Sequence, residues 1–432
     1  MKILWLMNIM LPYYAKEKGL PYSEREGWLS GAFAKMMQEA DPNLQLAICF
    51  PTTESGKKEI LNGTFFYSFH EDLRCPERYD PELETQLADI LKDYQPDLVH
   101  IFGTEFPHTL AMSRVFTHPD RMLIGIQGAC AECAAVYKSF LPDKVWNTAT
   151  FRDRVRHDSL KKQQQKFEKR AAHEREALSL TGHVAGRTDF DRAFLAQNAP
   201  NASYHYLCET MRPIFYQGHW DVGRMERHRI FVSQGDYPLK GFHILLRALP
   251  SLIKEYPDLE VYCAGNNIFR TDRKLSALRI SAYGEYLRQL AHREQVAGHV
   301  HMIGTQDAEG ILKQLEQANV FVCPSVLENS PNALAEAMLA GVPVVAAAVG
   351  GIPSMLEQEK EGLLFEGGDV RELARSIKRI FDNDTLAASL GGAASKRAHV
   401  VHDPDEGYRQ LKRIYKEMME RKLPQTDASL SE

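Results

Sequence analysis

Nine short apolar runs, separated by longer stretches of helical period, constrain this chain more than any other feature. The first four are "KILWLMNI", "LQLAICF", "DLVHIFG" and "MLIGIQG"; after residue 225 come "RIFVSQG", "LEVYCAG", "VHMIG", "VFVCPS" and "VPVVAAA". Strand-length runs interleaved with helices predict βαβ units, hence parallel sheets covered on both faces. Two such series predict an α/β protein of two doubly wound domains, and 432 residues are enough for both. The break falls in "CETMRPIFYQGHWDVGRMERH", residues 208–228, where Pro213, Gly218 and Gly223 interrupt any period. The expected division is 1–210, 211–400, a helix at 401–422 packing back toward the first domain, and a flexible tail at 423–432.

A net charge of −5 excludes a global field that would gather nucleic acid. Seven scattered cysteines suit a reducing compartment, with Cys130 and Cys133 expected to be incidental small residues. The start, "MKILWLMNIMLPYY", fits a buried first strand better than a signal peptide, and no run of eighteen apolar residues exists to span a bilayer. A cytoplasmic protein is expected. Phe151–Leu178, with nine Lys or Arg against five Asp or Glu, predicts one long helix; a solvated face explains it, and peripheral docking on the inner membrane leaflet is the alternative.

The chemistry gathers in "PSVLENSPNALAEAMLAGVPVV", residues 324–345. Ser330 as N-cap, Pro331 at the first helical position, and Gly341 with Pro343 as the stop predict a helix over 331–340. Its N-terminus, following the strand "VFVCPS", presents the N–H groups of Asn332 and Ala333 as a phosphate site. A carboxylate can accept two hydroxyl hydrogen bonds, so Glu328 before the helix and Glu336 within it suit hydroxyl-rich groups on either side of that phosphate. Phosphate between two polyols describes a nucleotide sugar. Spacing alone leaves open that both are ordinary loop and helix acids. Lys240, after the strand that ends at Gly235, supplies a point charge for a diphosphate, or is a surface lysine. No metal cluster is expected, and His301 suits core packing.

These segments resemble the retaining, metal-independent glycosyltransferases of family four, which share the GT-B fold of two facing Rossmann-like domains. The resemblance rests on "EGWLSGAFAKMM", "PDLVHIFGTEFPH", "GRTDFDRAFL", "LKGFHILLRAL", the E-x7-E pair of Glu328 and Glu336 with "GVPVV", and "EGLLFEGGDVRELARSI". It implies that Lys240 and Glu328 are catalytic, Lys240 on the diphosphate and Glu328 on the transferred sugar. Glu336 would hold the ribose; Ser330, Asn332, Ala333, Gly235 and Gly265 would complete the donor side. Gly27, Glu105, His108, Gln127 and Arg187 fall on the acceptor or sugar side, with His100 and Gly103 beside them. Ser23 and Glu26 also form a capping box, so a capped helix start is the alternative reading of Gly27. Many relatives carry arginine where this chain has Gly235, leaving Arg212 or Arg270 to supply that charge, and histidine where it has Gln127.

The expected activity is transfer of a sugar from a nucleotide diphosphate sugar such as a UDP-sugar, without a cofactor or metal. The acceptor would be a glycan, a lipid-linked molecule or a small molecule, in surface or exopolysaccharide or other glycoconjugate synthesis. A nucleotide-sugar epimerase of the same fold and a non-catalytic partner protein are the alternatives.

Overall fold

The computed structural model describes residues 1–22, 27–54, 56–267 and 279–420. Ser23, Glu26, Arg270 and the tail 423–432 lie outside them. The first sheet holds eight strands: β1 (Lys2–Leu6), β2 (Gln45–Thr52), β3 (Lys58–Leu61), β4 (Thr64–His70), β5 (Leu98–Phe102), β6 (Met122–Gly125), β7 (His183–Gly186) and β8 (Ser203–Tyr206). Their order is β3-β4-β2-β1-β5-β6-β7-β8, parallel except for the β3–β4 hairpin. The second sheet holds six, all parallel: β9 (Arg229–Val232), β10 (Glu260–Ala264), β11 (Val300–Gly304), β12 (Val320–Cys323), β13 (Val344–Ala347) and β14 (Leu363–Phe365), in the order β11-β10-β9-β12-β13-β14.

This is the GT-B architecture of two Rossmann-like domains. In each sheet the order reverses beside the first strand, between β1 and β5 and between β9 and β12. Loops leaving neighbouring strands there diverge to opposite faces, which opens a crevice beyond the strand ends. The second crevice is therefore built by the loops after β9 and β12, which carry Lys240 and Glu328.

The last helix, Pro404–Glu420, follows the second domain in sequence but packs on the helix Gly27–Glu39 of the first. Leu411, Ile414, Tyr415 and Met418 form its buried stripe. The Tyr415 hydroxyl, fully buried, accepts from Trp5 Nε1 at 2.8 Å and meets His100 Nδ1 at 2.7 Å.

Three expectations require correction. The basic segment is two helices, Phe151–Arg156 and Leu160–Ser179, because His157 takes a left-handed conformation with φ 49° that ends the first, capped at its start by Thr150 and Asp153. The helix after β12 runs Asn332–Ala340, with Pro331 rather than Ser330 at the cap position and no side-chain cap. Its extended Pro331 (φ −68°, ψ 116°) holds Ser330 outside capping reach. His301 is exposed on the edge strand β11, hydrogen-bonded to Glu260.

Candidate active site

Gly241 sets the site's geometry. It sits at φ +65°, and a Cβ there would fall 1.8 Å from the Pro324 carbonyl oxygen. Only glycine lets the turn Pro238–Lys240 lie directly on the loop after β12, where Val326 N–H donates to the Leu239 carbonyl at 2.8 Å. Lys240 is thereby carried to Glu328: Nζ stands 2.7 Å from Oε1, and Ser325 Oγ donates to the same oxygen at 2.7 Å. Burial works against the Lys240 ammonium, but the facing Glu328 carboxylate outweighs it and holds the pKa above the usual lysine value.

Behind Glu328 the loop is clamped by a pair of glycines. Gly351 N–H donates to the Glu328 carbonyl at 2.9 Å. A Cβ on Gly350, at φ +53°, would fall 2.0 Å from that carbonyl oxygen, and one on Gly351 1.8 Å from that of Asn329. Asn332, the first helical residue, and Asn329 keep buried side-chain oxygens without a hydrogen-bond partner. Such acceptors suit the hydroxyls of a bound molecule. Ala333, half-buried, is the next residue of this turn; Ser330 borders a separate crevice with Arg187 and His402.

Glu336, only 7% exposed, lies one turn further along the helix and pairs with Arg212 from the interdomain segment, whose Nη2 is 2.7 Å away. Arg212 crosses the start of the helix Gly27–Glu39, and a Cβ on Gly27 would fall 2.3 Å from its Cδ. The absence of a side chain at Gly27 therefore gives the arginine its path. At Gly235 a Cβ would meet Phe242 at 2.8 Å and Cys263 at 2.9 Å, so packing leaves no room for a side chain there. Gly265 turns at φ +98° just past β10.

Facing this site, the first sheet's crevice brings Asn8 Nδ2 3.3 Å from Glu105 Oε1. His108 is fully buried, with Nδ1 2.6 Å from Glu71 and Nε2 3.0 Å from Asn8, so it fixes Asn8 rather than lining an open surface. Gly103 adopts φ +100°, where a Cβ would press on Asn8 and Glu105. Gln127 joins the two halves, its carbonyl accepting from Asn329 Nδ2 at 3.2 Å. Arg187 is buried behind it, donating to Gln127 Oε1 at 3.3 Å and standing 3.0 Å from Glu209 Oε1. Glu71, Glu209 and Ser325 carry no sequence signal: Glu71 and Glu209 act through His108 and Arg187, distant in sequence, while Ser325, three residues before Glu328, is an ordinary loop serine until the fold turns it onto that carboxylate.

Among the described residues no group of three or more His, Cys, Asp or Glu side chains is placed to hold a metal, and no helix is long and apolar enough to cross a membrane. The loops of Lys240 and Glu328 thus present a cation, a carboxylate and a helix start at the ends of two adjacent strands, β9 and β12, opposite a polar crevice in the other domain.

Residues 220–397 match the family model for glycosyl transferases group 1. A D-inositol 3-phosphate glycosyltransferase of Streptomyces avermitilis is 33% identical over 161 residues, 37% of this chain and 34% of that protein. A phosphatidyl-myo-inositol mannosyltransferase of Mycolicibacterium smegmatis is 30% identical over 193 residues, 44% of this chain and 45% of that protein. The chain thus spans less than half the length of these curated relatives. Solved structures match it nearly end to end. Sucrose-phosphate synthase from Thermosynechococcus elongatus has a TM-score of 0.71 at 14% identity, covering 97% of this chain and 99% of that one. Anabaena HepE in complex with UDP-glucose has a TM-score of 0.63 at 16% identity, covering 96% and 100%. The second domain thus matches the glycosyl transferases group 1 over residues 220–397, within a chain whose whole fold is GT-B.

Proposed function

We propose that the protein is a retaining, metal-independent glycosyltransferase that moves a sugar from a nucleotide diphosphate sugar, a UDP-sugar in the first instance, to a hydroxyl of a glycan, lipid-linked or small-molecule acceptor. The observation that carries the reading is the Lys240–Glu328 pair, 2.7 Å apart at the start of the helix Asn332–Ala340. An ammonium and free backbone N–H groups suit a diphosphate, and the neighbouring carboxylate suits sugar hydroxyls.

In this reading Glu336 accepts from the ribose, and Lys240 with the N–H groups of Asn332 and Ala333 stabilises the charge that develops on the leaving diphosphate. That diphosphate takes the acceptor's proton as the new bond forms on the face it leaves. No second carboxylate is needed as a general base. The inositol 3-phosphate glycosyltransferase and phosphatidyl-myo-inositol mannosyltransferase relatives support sugar transfer in glycoconjugate synthesis, and HepE, solved with UDP-glucose, supports a uridine diphosphate donor.

The test is incubation with a panel of labelled nucleotide sugars in the presence of EDTA, with and without an acceptor extract. Release of nucleoside diphosphate that accelerates with acceptor, and a product keeping the donor's anomeric configuration, support the reading. Interconversion of the sugar alone indicates an epimerase. Saturable binding without turnover indicates a non-catalytic partner.

A further inference from the structure

Beside the crevice of the first domain lies a cavity walled by the helices Gly27–Glu39 and Pro404–Glu420 and by the ends of β5, β6 and β7. Trp28, Met36, Phe102, Leu207 and Leu411 make its walls mostly apolar. Polar side chains break that lining, among them His100, Gln127, Arg187 and Glu209 at the strand ends and Lys35, Thr210 and Tyr408 beside the two helices.

The hydrogen-bond network sets the state of His100. Tyr415 Oη receives the Trp5 indole N–H at 2.8 Å, and the buried core offers the tyrosine proton one partner, His100 Nδ1 at 2.7 Å. Nδ1 is then the acceptor, so a neutral imidazole carries its proton on Nε2. Burial pushes the His100 pKa down to about 3, which keeps the ring neutral. Nε2–H has no protein partner, although His100 is 0% exposed. Glu209, 5% exposed, is paired with the Arg187 guanidinium at 3.0 Å and has Gln127 within hydrogen-bonding reach, but its oxygens keep lone pairs that no well-aligned donor fills. A buried donor left unmade is costly, and a hydroxyl group can satisfy it while using the spare acceptor capacity of the carboxylate.

We propose that this cavity is a binding site for an uncharged, hydroxyl-bearing molecule with an apolar body, whose hydroxyls accept from His100 Nε2 and donate to Glu209. A free sugar fits poorly, because most of its hydroxyls would face apolar walls without partners. Under the transfer reading such a molecule is an acceptor, and to that extent the inference rests on that reading; the binding itself does not.

The test uses the full chain without donor, titrated calorimetrically with 2-phenylethanol and with ethylbenzene, with Trp28 fluorescence as a second readout. The alcohol is expected to bind about tenfold tighter than the hydrocarbon. Ala32→Trp, which fills the cavity from the helix side, should weaken both by about tenfold or more while leaving UDP affinity unchanged. His100→Phe should narrow the gap between the two ligands, leaving only the alcohol's bond to Glu209. Equal affinities in the parent protein, or no binding of either, would overturn the proposal and leave a solvent-filled void. Selective alcohol binding in a protein that binds no nucleotide would sustain the site while removing the transfer reading.

Discussion

Arg212 Nη2 stands 2.7 Å from Glu336 Oε1, tying the segment between the two sheets to the helix whose start faces the cleft. Both side chains are largely buried, so the loss of either leaves a charge without its partner. Glu336→Ala is expected to lower stability by about 3 kcal/mol and to weaken nucleoside diphosphate binding by roughly tenfold or more. Scanning calorimetry and titration with UDP measure the two effects. An Arg212→Ala variant should match it in stability loss if the pair acts as a unit, with the double variant less than additive.

Gly350 is expected to govern Glu328 without touching a ligand. Its φ of +53° and the 2.0 Å approach of a Cβ to the Glu328 carbonyl leave a side chain no place. Gly350→Ala should displace that loop, costing about 1–3 kcal/mol in strain and reducing kcat/KM by roughly tenfold or more. Steady-state kinetics beside a melting curve check it, and wild-type kinetics would show that the clamp does not set the position of Glu328.

Glu174 provides a pH signature in the first domain. It is fully buried, hydrogen-bonded to Thr104 Oγ1 and accepting from Cys130 N–H at 2.9 Å, and burial pushes its pKa up to about 8. Thr104 Oγ1 also lies 3.0 Å from the Gly128 carbonyl, which can only accept, so the proton between Thr104 and Glu174 comes from the carboxyl group. An acid whose folded pKa is raised binds its proton more tightly when folded. Its stabilising contribution is complete below the unfolded value, about 4.3, and is lost as pH rises through the window up to about 8, at about 1.4 kcal/mol per pH unit. Glu174→Gln mimics the protonated acid and should remove this slope. The melting-temperature difference between variant and parent is expected to grow from pH 5 to pH 8, and a constant difference would refute the assignment.

The sequence disclosed the sheets best where strands were continuous apolar runs, as in "VFVCPS" and "VPVVAAA", because strands of a parallel sheet are buried on both faces. It disclosed least at the margins. β3, β4, β7, β8 and β14 went unread, being short, polar or alternating. The β3–β4 hairpin did carry a signal in Asn62-Gly63, whose φ values of 48° and 80° match a two-residue turn with both centres left-handed. At the site, spacing brought Lys240 and Glu328 into view but not their direct pairing, which depends on Gly241 letting two loops touch. The Arg212–Glu336 pair was equally hidden, since its partners lie 124 residues apart.

The most direct test of the anionic leaving-group anchor is Lys240→Ala, read as nucleoside diphosphate release from whichever nucleotide sugar the parent turns over, beside UDP affinity and a melting curve. The account predicts that kcat falls by about a hundredfold or more while UDP binding weakens by about tenfold at most. A variant that stays folded with kcat within about threefold of the parent would contradict it.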